Sequence, residues 1–213
     1  MDSPEPPVIS DAVKQSFAEP VTCHAGEDLL LKVPVSGIPR PNAVWSTKGK
    51  EIKDPRFEAA VAKGVAQLSI PEAKRSDSGT YHIKIQNSEG EAEADITVKV
   101  TDVPSAPGGP MKTLKASSKA LTVGWAAPSD DGGMHITQYV VERKTCGDEL
   151  EEWTRIGKVF PGEDLKMTSD HVDKGTSYKF RVSAHNSLGS SPYLESADIL
   201  ADDKFSKKQS RHQ

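Results

Sequence analysis

The stretch DSGTYHIKIQNSEG at residues 77–90 decides the fold of the first half of the chain. From Tyr81 onward its apolar side chains, Ile83 and Ile85, share one parity, while His82 and Lys84 take the other. An alternation of period two predicts a β-strand with one buried and one solvent-facing side. The stretch ends in Asn, Ser, Glu and Gly, which together favour a tight turn.

The same pattern returns in the stretch GTSYKFRVSAHNSLG at residues 175–189, where apolar residues alternate from Tyr178 to Ala184. A further alternating run begins at Leu29 and ends at Val35. Related strands in both halves predict an all-β chain of two β-sandwiches in tandem. Because no apolar spacing of three and four residues is sustained, we expect no helix beyond a turn near residues 73–77.

A proline-rich segment, DVPSAPGGP at residues 102–110, divides the chain near its middle. Prolines in such a segment do not join a sheet interior and favour an extended, stiff connection. We therefore assign an N-terminal extension to residues 1–6, a first sandwich to 7–101, a linker and the start of the second sandwich to 102–110, the second sandwich to 104–200, and a C-terminal tail to 201–213. Because the connection is short and rich in proline, we expect the two domains to form a semi-rigid rod. We also expect the fragment to be a monomer.

Length and composition agree with two domains. The 213 residues accommodate two all-β modules of roughly 100 residues each. Hydrophobic residues make up 35% and charged residues 27%, which excludes collagen, coiled-coil and fully disordered chains. The net charge of −4 argues against nucleic acid as a main partner. Since no apolar run approaches the roughly eighteen residues of a membrane span, and the N-terminus carries prolines and acids, we expect neither a membrane segment nor a secretion signal.

The two cysteines, Cys23 and Cys146, fall in different predicted sandwiches, so we expect both to be reduced thiols. The sequence lacks an Asn-x-Ser/Thr glycosylation site, because Asn42, Asn87 and Asn186 are followed two positions later by Val, Glu and Leu. Both observations favour a reducing, intracellular compartment.

The first half resembles an I-set immunoglobulin domain over residues 7–101. The resemblance rests on a tryptophan on an early strand and a tyrosine after an Asp-x-Gly turn, with turn residues in the expected order: Gly26, Gly37, Pro39, Pro41, Trp45, Asp77, Gly79, Tyr81 and Asn87. Where extracellular relatives join the two sheets by a disulfide, this sequence has Val33 and Ile83. The resemblance implies that apolar packing against Trp45 replaces a bond that typically contributes about 2–5 kcal/mol.

The second half is similar to a fibronectin type III domain over residues 104–200. The motifs are the strand residues Leu121, Val123 and Trp125, and the stretch around Tyr178 quoted above. The turn PSDDGG at residues 128–133, followed by ITQYVVERK at 136–144, is similar to the variant in titin, twitchin, projectin and myosin-binding protein C. Residues 201–205, ADDKF, are similar to the connector that leaves these domains.

This order of domains resembles one repeat unit of such a sarcomeric filament protein. It implies a non-enzymatic structural and interaction module of the cytoplasmic myofibril, in the A-band, which spaces and docks partners along the thick filament. The implied partners are the myosin rod or neighbouring filament proteins. The alternative is a fragment of a cell-surface adhesion protein or receptor, which Val33, Ile83 and the missing glycosylation site disfavour.

No catalytic, cofactor-binding or metal-binding constellation is visible, so we expect no enzyme activity, no cofactor and no metal. The histidines are scattered and lack the spacing of a zinc site: His24, His82, His135, His171, His185 and His212. Asp130 and Asp131 are interpreted as turn-forming acids, because calcium needs six to eight oxygen ligands and no further acid lies nearby.

Two charged segments can each be interpreted in more than one way. The acids just before Trp153 predict a solvated loop or a docking site for a basic partner: Asp148, Glu149, Glu151 and Glu152. We expect residues 204–213 to be a disordered tail or a truncated linker. The alternative is a regulated segment, because Ser210 behind Lys207 and Lys208 resembles a kinase acceptor whose phosphate would reverse the local charge.

Overall fold

The computed structural model describes residues 2–203, and the chain divides after Thr101 into two compact units. Both units are built from β-sheets, so the predicted all-β class is confirmed. Ser210 and the rest of residues 204–213 lie outside the described part.

The strands of the first unit are short and mostly antiparallel. They are β1 Glu5–Val8, β2 Val21–His24, β3 Leu29–Pro34, β4 Ser36–Ile38, β5 Asn42–Thr47, β6 Lys50–Glu51, β7 Glu58–Ala62, β8 Val65–Ile70, β9 Gly79–Asn87 and β10 Gly90–Thr101. One sheet has the order β2-β10-β9-β5-β6, in which β10 runs parallel to β2, and the second has the order β3-β8-β7. A small pair, β1-β4, completes the unit.

The alternation at the centre of the first unit has the predicted register. Tyr81, Ile83 and Ile85 on β9 are at most 1% exposed, whereas His82 and Lys84 between them are partly exposed. On β3, Leu29, Leu31 and Val33 are buried in the same alternating way. The apolar sides of both strands belong to one core, so the predicted inward faces are confirmed.

Helix is more extensive than the sequence predicts. The expected turn near residues 73–77 is present as a 3-10 helix, Arg75–Asp77, but a further α-helix, α1, spans Asp11–Ser16. The side chain of Ser10 caps its first turn by accepting a hydrogen bond from the Val13 amide at 3.2 Å. Val13 and Phe17 pack against the core. A six-residue helix with two such contacts is too short to produce a sustained helical periodicity, which is why the pattern failed to reveal it.

The second unit contains β11 Gly108–Ala116, β12 Ala120–Ala126, β13 Gln138–Thr145, β14 Thr154–Val159, β15 Lys166–Asp170, β16 Ser177–Asn186, β17 Gly189–Ser190, β18 Leu194–Glu195 and β19 Ile199–Leu200. One sheet has the order β11-β12-β15, and the other β14-β13-β16-β17, with β18 and β19 also paired to β16. The inward residues of β16, Tyr178, Phe180, Val182 and Ala184, are at most 5% exposed and lie in the core.

The proline-rich segment 102–110 is folded into the second unit. The amide of Asp102 donates to the Gly132 carbonyl at 2.9 Å, and the amide of Ser105 donates to the Asp130 carbonyl at 2.9 Å. Pro104 and Pro107 are buried, and β11 begins at Gly108. The extended connection expected from three prolines is therefore replaced by a segment that packs on its own domain.

Candidate interaction surface

The positions that carry a disulfide in related extracellular domains lie in the centre of the first core. Val33 and Ile83 are both 0% exposed, and Trp45, which pairs with Ile83 across β5 and β9, is 3% exposed. Both cysteines of the chain are free thiols, with Cys23 buried and Cys146 partly buried. The core of this unit is thus held by apolar packing, as the sequence predicts.

A tyrosine corner fixes the start of β9. The Tyr81 hydroxyl donates to the Asp77 carbonyl at 2.8 Å. Burial, reinforced by the nearby Asp77 charge, raises the pKa of Tyr81 to about 12, so the phenol stays protonated at neutral pH. The Asp77 carboxylate accepts two hydrogen bonds from the Arg56 guanidinium, at 3.1 and 2.5 Å, and one from the Lys74 amide at 2.8 Å.

The asparagines that end β9 and β16 play the same structural role. In the first unit, Asn87 Nδ2 donates to the carbonyls of Glu5 and Pro39, at 2.8 and 2.9 Å. In the second, Asn186 Nδ2 donates to the carbonyls of Asp102 and Asp131, at 2.7 and 3.0 Å. Each amide therefore ties the first residues of its unit to a neighbouring loop. The repeated Asn-Ser pair was visible in the sequence, but its long-range partners were not.

The acidic turn before β13 has the geometry expected of turn-forming acids. The side chain of Asp130 accepts from the Gly132 amide at 3.0 Å, and that of Asp131 accepts from the Gly133 amide at 2.8 Å. Gly132 has φ +77°, and a Cβ there would lie 1.9 Å from the Asp102 carbonyl oxygen, so this position requires glycine. Within residues 2–203, no group of three or more His, Cys, Asp or Glu side chains is arranged to hold a metal ion.

The histidines do not converge on one place. His82 on the outer side of β9 lies 2.7 Å from Asp95 and 3.7 Å from Glu93. His24 contacts Thr101 at 2.7 Å, while His135 and His171 are exposed and His212 lies outside the described residues. Burial, followed by the positive charge of Arg155, lowers the pKa of His185 below its ordinary value, so this ring is neutral at neutral pH.

The acidic loop before Trp153 is partly engaged in its own structure. Glu151 accepts hydrogen bonds from the amide and the hydroxyl of Thr145, and Asp148 accepts from the Leu150 amide at 2.9 Å. Glu149 and Glu152 are exposed, and Leu150 at the tip is 92% exposed. These contacts account for two of the acids as loop-forming residues.

A stack of cationic and aromatic side chains covers the outer side of the sheet formed by β13, β14 and β16. The Arg181 guanidinium carbon lies 4.5 Å from the Trp153 ring centre and 3.8 Å from that of Tyr193. Arg181 Nε donates to Glu142 at 2.7 Å, and Lys144 Nζ lies 5.2 Å from the Trp153 ring centre. The sequence predicted the outward parity of Arg181, but it could not bring together rings that come from two different loops.

Comparison with known proteins assigns each unit to a domain family. Residues 12–100 match the immunoglobulin I-set domain and residues 105–199 match the fibronectin type III domain. Slow-type myosin-binding protein C of Homo sapiens is 35% identical over 187 residues, covering 84% of this chain, and titin of Drosophila melanogaster is 32% identical over 188 residues, covering 88%. The chain spans only 16% and 1% of the length of these two relatives.

Solved structures agree on the fold. A fragment of titin with three immunoglobulin domains aligns with a TM-score of 0.50 and 20% identity, covering 91% of this chain and 65% of that one. No helix in the described part of the chain is long and apolar enough to cross a membrane.

The two matched families are structural modules without catalytic function, so the prediction that this part of the chain is not an enzyme is confirmed. Each unit also carries the features that the sequence predicted for its family: the buried Trp45 and the Tyr81 corner in the first, and the Asp-Asp-Gly-Gly turn in the second. The chain therefore belongs to the immunoglobulin I-set family in its first half and to the fibronectin type III family in its second half.

Proposed function

We propose that this chain is a structural and interaction module of a muscle filament protein, which spaces and docks partners such as myosin along the thick filament. It works without a cofactor, in the cytoplasmic myofibril and within the A-band, as a monomer. The proposed bounds are residues 1–6 for an N-terminal extension, 7–101 for the first domain, 102–110 for the linker and the start of the second domain, 104–200 for the second domain, and 201–213 for a C-terminal tail.

The observation that carries this proposal is similarity across both domains in one continuous alignment. Myosin-binding protein C and titin match 84% and 88% of the chain. A single common domain would be weak evidence, because the same fold serves many functions. An alignment that runs through an I-set domain into a type III domain is a more specific signature, and it supports a role related to that of these muscle proteins.

The core of the first unit supports this proposal over a cell-surface role. Extracellular immunoglobulin domains are typically stapled by a disulfide, which persists in oxidising compartments. Here Val33 and Ile83 occupy the corresponding positions and are both 0% exposed, and both cysteines are free. This chemistry suits a reducing compartment.

Cosedimentation and decoration of myofibrils test the proposal. The full chain, labelled with a fluorophore at its N-terminus, is added to permeabilised striated-muscle myofibrils, and we expect fluorescent bands over the A-band. In parallel, the chain should sediment with purified myosin filaments and stay in the supernatant with actin filaments. Diffuse fluorescence together with no sedimentation on myosin would refute the proposal.

A further inference from the structure

The outer side of the sheet formed by β13, β14 and β16 is rich in cations. Lys179 and Arg181 alternate with the buried Tyr178, Phe180 and Val182 along β16, so they face away from the core. In the register of β13 and β14, Arg155 lies opposite Glu142 and Lys158 lies opposite Val140, which puts both on the outer side of β14. With Lys144 over Trp153, these residues define the basic face: Lys144, Arg155, Lys158, Lys179 and Arg181.

Three of these five cations form no ion pair in the described part of the chain. Arg181 is paired with Glu142 at 2.7 Å, and Lys179 lies 3.7 Å from Asp198. For Lys144, Arg155 and Lys158, no carboxylate of residues 2–203 lies within ion-pair distance. Acids also lie among these cations: Glu195 is opposite Arg181, and Asp148, Glu149 and Asp198 line one pocket with Lys144 and Lys179. The cations left without an acid of their own are Arg155 and Lys158 on β14, since Glu142, which lies opposite Arg155, is bonded to Arg181.

Several contacts hold the centre of the basic face in place. Arg181 is held between the rings of Trp153 and Tyr193 and by Glu142, and its side chain is only 19% exposed. Tyr193 is 46% exposed and adds apolar area beside the cations. A rigid aromatic centre surrounded by charged residues loses little side-chain entropy on binding, which favours recognition of another surface.

We propose that the basic face docks a carboxylate-rich surface of a partner protein, with Arg155 and Lys158 pairing to its acids beside the Trp153–Arg181–Tyr193 centre. This inference rests on the proposed function, since it names the surface through which the module would bind. Charge complementarity carries it: unpaired cations on one face attract acids and repel basic partners. Association should weaken as salt rises, because exposed ion pairs are screened.

The first test measures binding of a fluorescein-labelled ten-residue glutamate peptide to the full chain by fluorescence anisotropy. R155E/K158E reverses two exposed charges on β14, and we expect its Kd to rise about tenfold or more. The matched control, K112E/K115E, makes the same change in net charge at two exposed residues of β11, in the other sheet. Its Kd should stay within about twofold of the wild-type value.

Several outcomes would overturn the inference. Equal weakening by both double variants would mean that net charge alone governs binding, and absence of wild-type binding would remove the site. Stronger competition by a ten-nucleotide single-stranded DNA than by unlabelled glutamate peptide would indicate a phosphate-binding face in place of a protein-docking one. Should R155E/K158E fail to fold, R155Q/K158Q removes the charges without repelling Glu142, and its Kd should still rise at least threefold.

Myofibril decoration separates this inference from the proposed function. If both hold, wild type and K112E/K115E decorate the A-band and R155E/K158E does not. Decoration by all three proteins would refute the basic face as the docking surface and leave the muscle role intact. Absence of decoration by the wild type, together with no sedimentation on myosin filaments, would refute the muscle role, and the peptide titration would still decide what the face binds.

Discussion

Asp77 is a nearly buried charge, 7% exposed, on which several contacts of the first unit converge. Burial by itself would raise its pKa, but the hydrogen bonds from Arg56 and from the Lys74 amide outweigh that effect and hold the pKa below its ordinary value. The ionised form is therefore favoured by folding. A carboxyl with a depressed pKa stabilises the native state above its unfolded pKa, and the stabilisation is lost as pH falls through the folded pKa.

We expect D77N to destabilise the first unit by about 1–3 kcal/mol at neutral pH, because it leaves the Arg56 guanidinium without its carboxylate. The difference from wild type should shrink as pH falls from about 4, the pKa of an unfolded aspartate, through the lower folded pKa, at which native Asp77 becomes protonated. Urea unfolding at a series of pH values, with peptide-resolved hydrogen exchange to isolate β9, measures it. A difference that stays constant down to about pH 2 would contradict this account of Asp77.

Ile83 tests the core where a disulfide is absent. Ile83→Ala removes a side chain that is 0% exposed, and should destabilise the first unit by about 2–5 kcal/mol. His82→Ala, on the opposite side of the same strand, should cost under about 0.5 kcal/mol, since its contacts with Asp95 and Glu93 are solvent-exposed. Chemical denaturation of both variants decides the matter, and equal losses would be incompatible with the observed register.

At the scale of elements, the strands with a buried and a solvated side were predictable from sequence. On β9 and β16, alternation alone gave the correct inward residues, because one side of each strand faces a core. α1 and the segment 102–107 were not predictable in the same way. The helix depends on one capping serine and two packing residues, and the segment depends on loop carbonyls of residues 130–132 that lie far along the chain.

The prolines of that segment give a prediction about the second unit. Replacing both Pro104 and Pro107 with glycine removes two buried rings and adds freedom to the unfolded chain, so the unit should lose about 1–3 kcal/mol. Pro192→Gly, at an exposed position of the same unit, is the control for the effect on the unfolded chain and should cost under about 1 kcal/mol. Hydrogen exchange of β12 and β16 reports the change. If the double variant were as stable as the wild type, the segment would only connect the two units and would not stabilise the second one.

At the scale of the whole molecule, the thiols give a test that involves both units. Titration of the denatured chain without reductant should find two thiols, and reductant should leave the melting temperature unchanged. In the native chain, Cys146 should react before Cys23, because it is the more accessible of the two. Burial raises the pKa of both thiols, so both reactions should be slow at neutral pH. A melting temperature that falls with reductant would contradict the free-thiol state.

The candidate site was less predictable than the two folds. Sequence motifs identified the families because core and turn residues keep a fixed order along the chain. The basic face depends on Trp153 and Tyr193, which come from different loops and meet only through Arg181. Strand parity could have indicated that Lys179 and Arg181 share an outer side, but which cations remain unpaired depends on the distances to Glu142 and Asp198.

The absence of a covalent link between β3 and β9 has a consequence for a domain under tension. A disulfide at the positions of Val33 and Ile83 would lock the loop between them, so that roughly fifty residues, or about 170 Å of contour length, could never be stretched. Here a pulling force that unfolds the first unit releases that length together with the rest of the domain. Its recovery requires only refolding of an apolar core, with no cystine to reform.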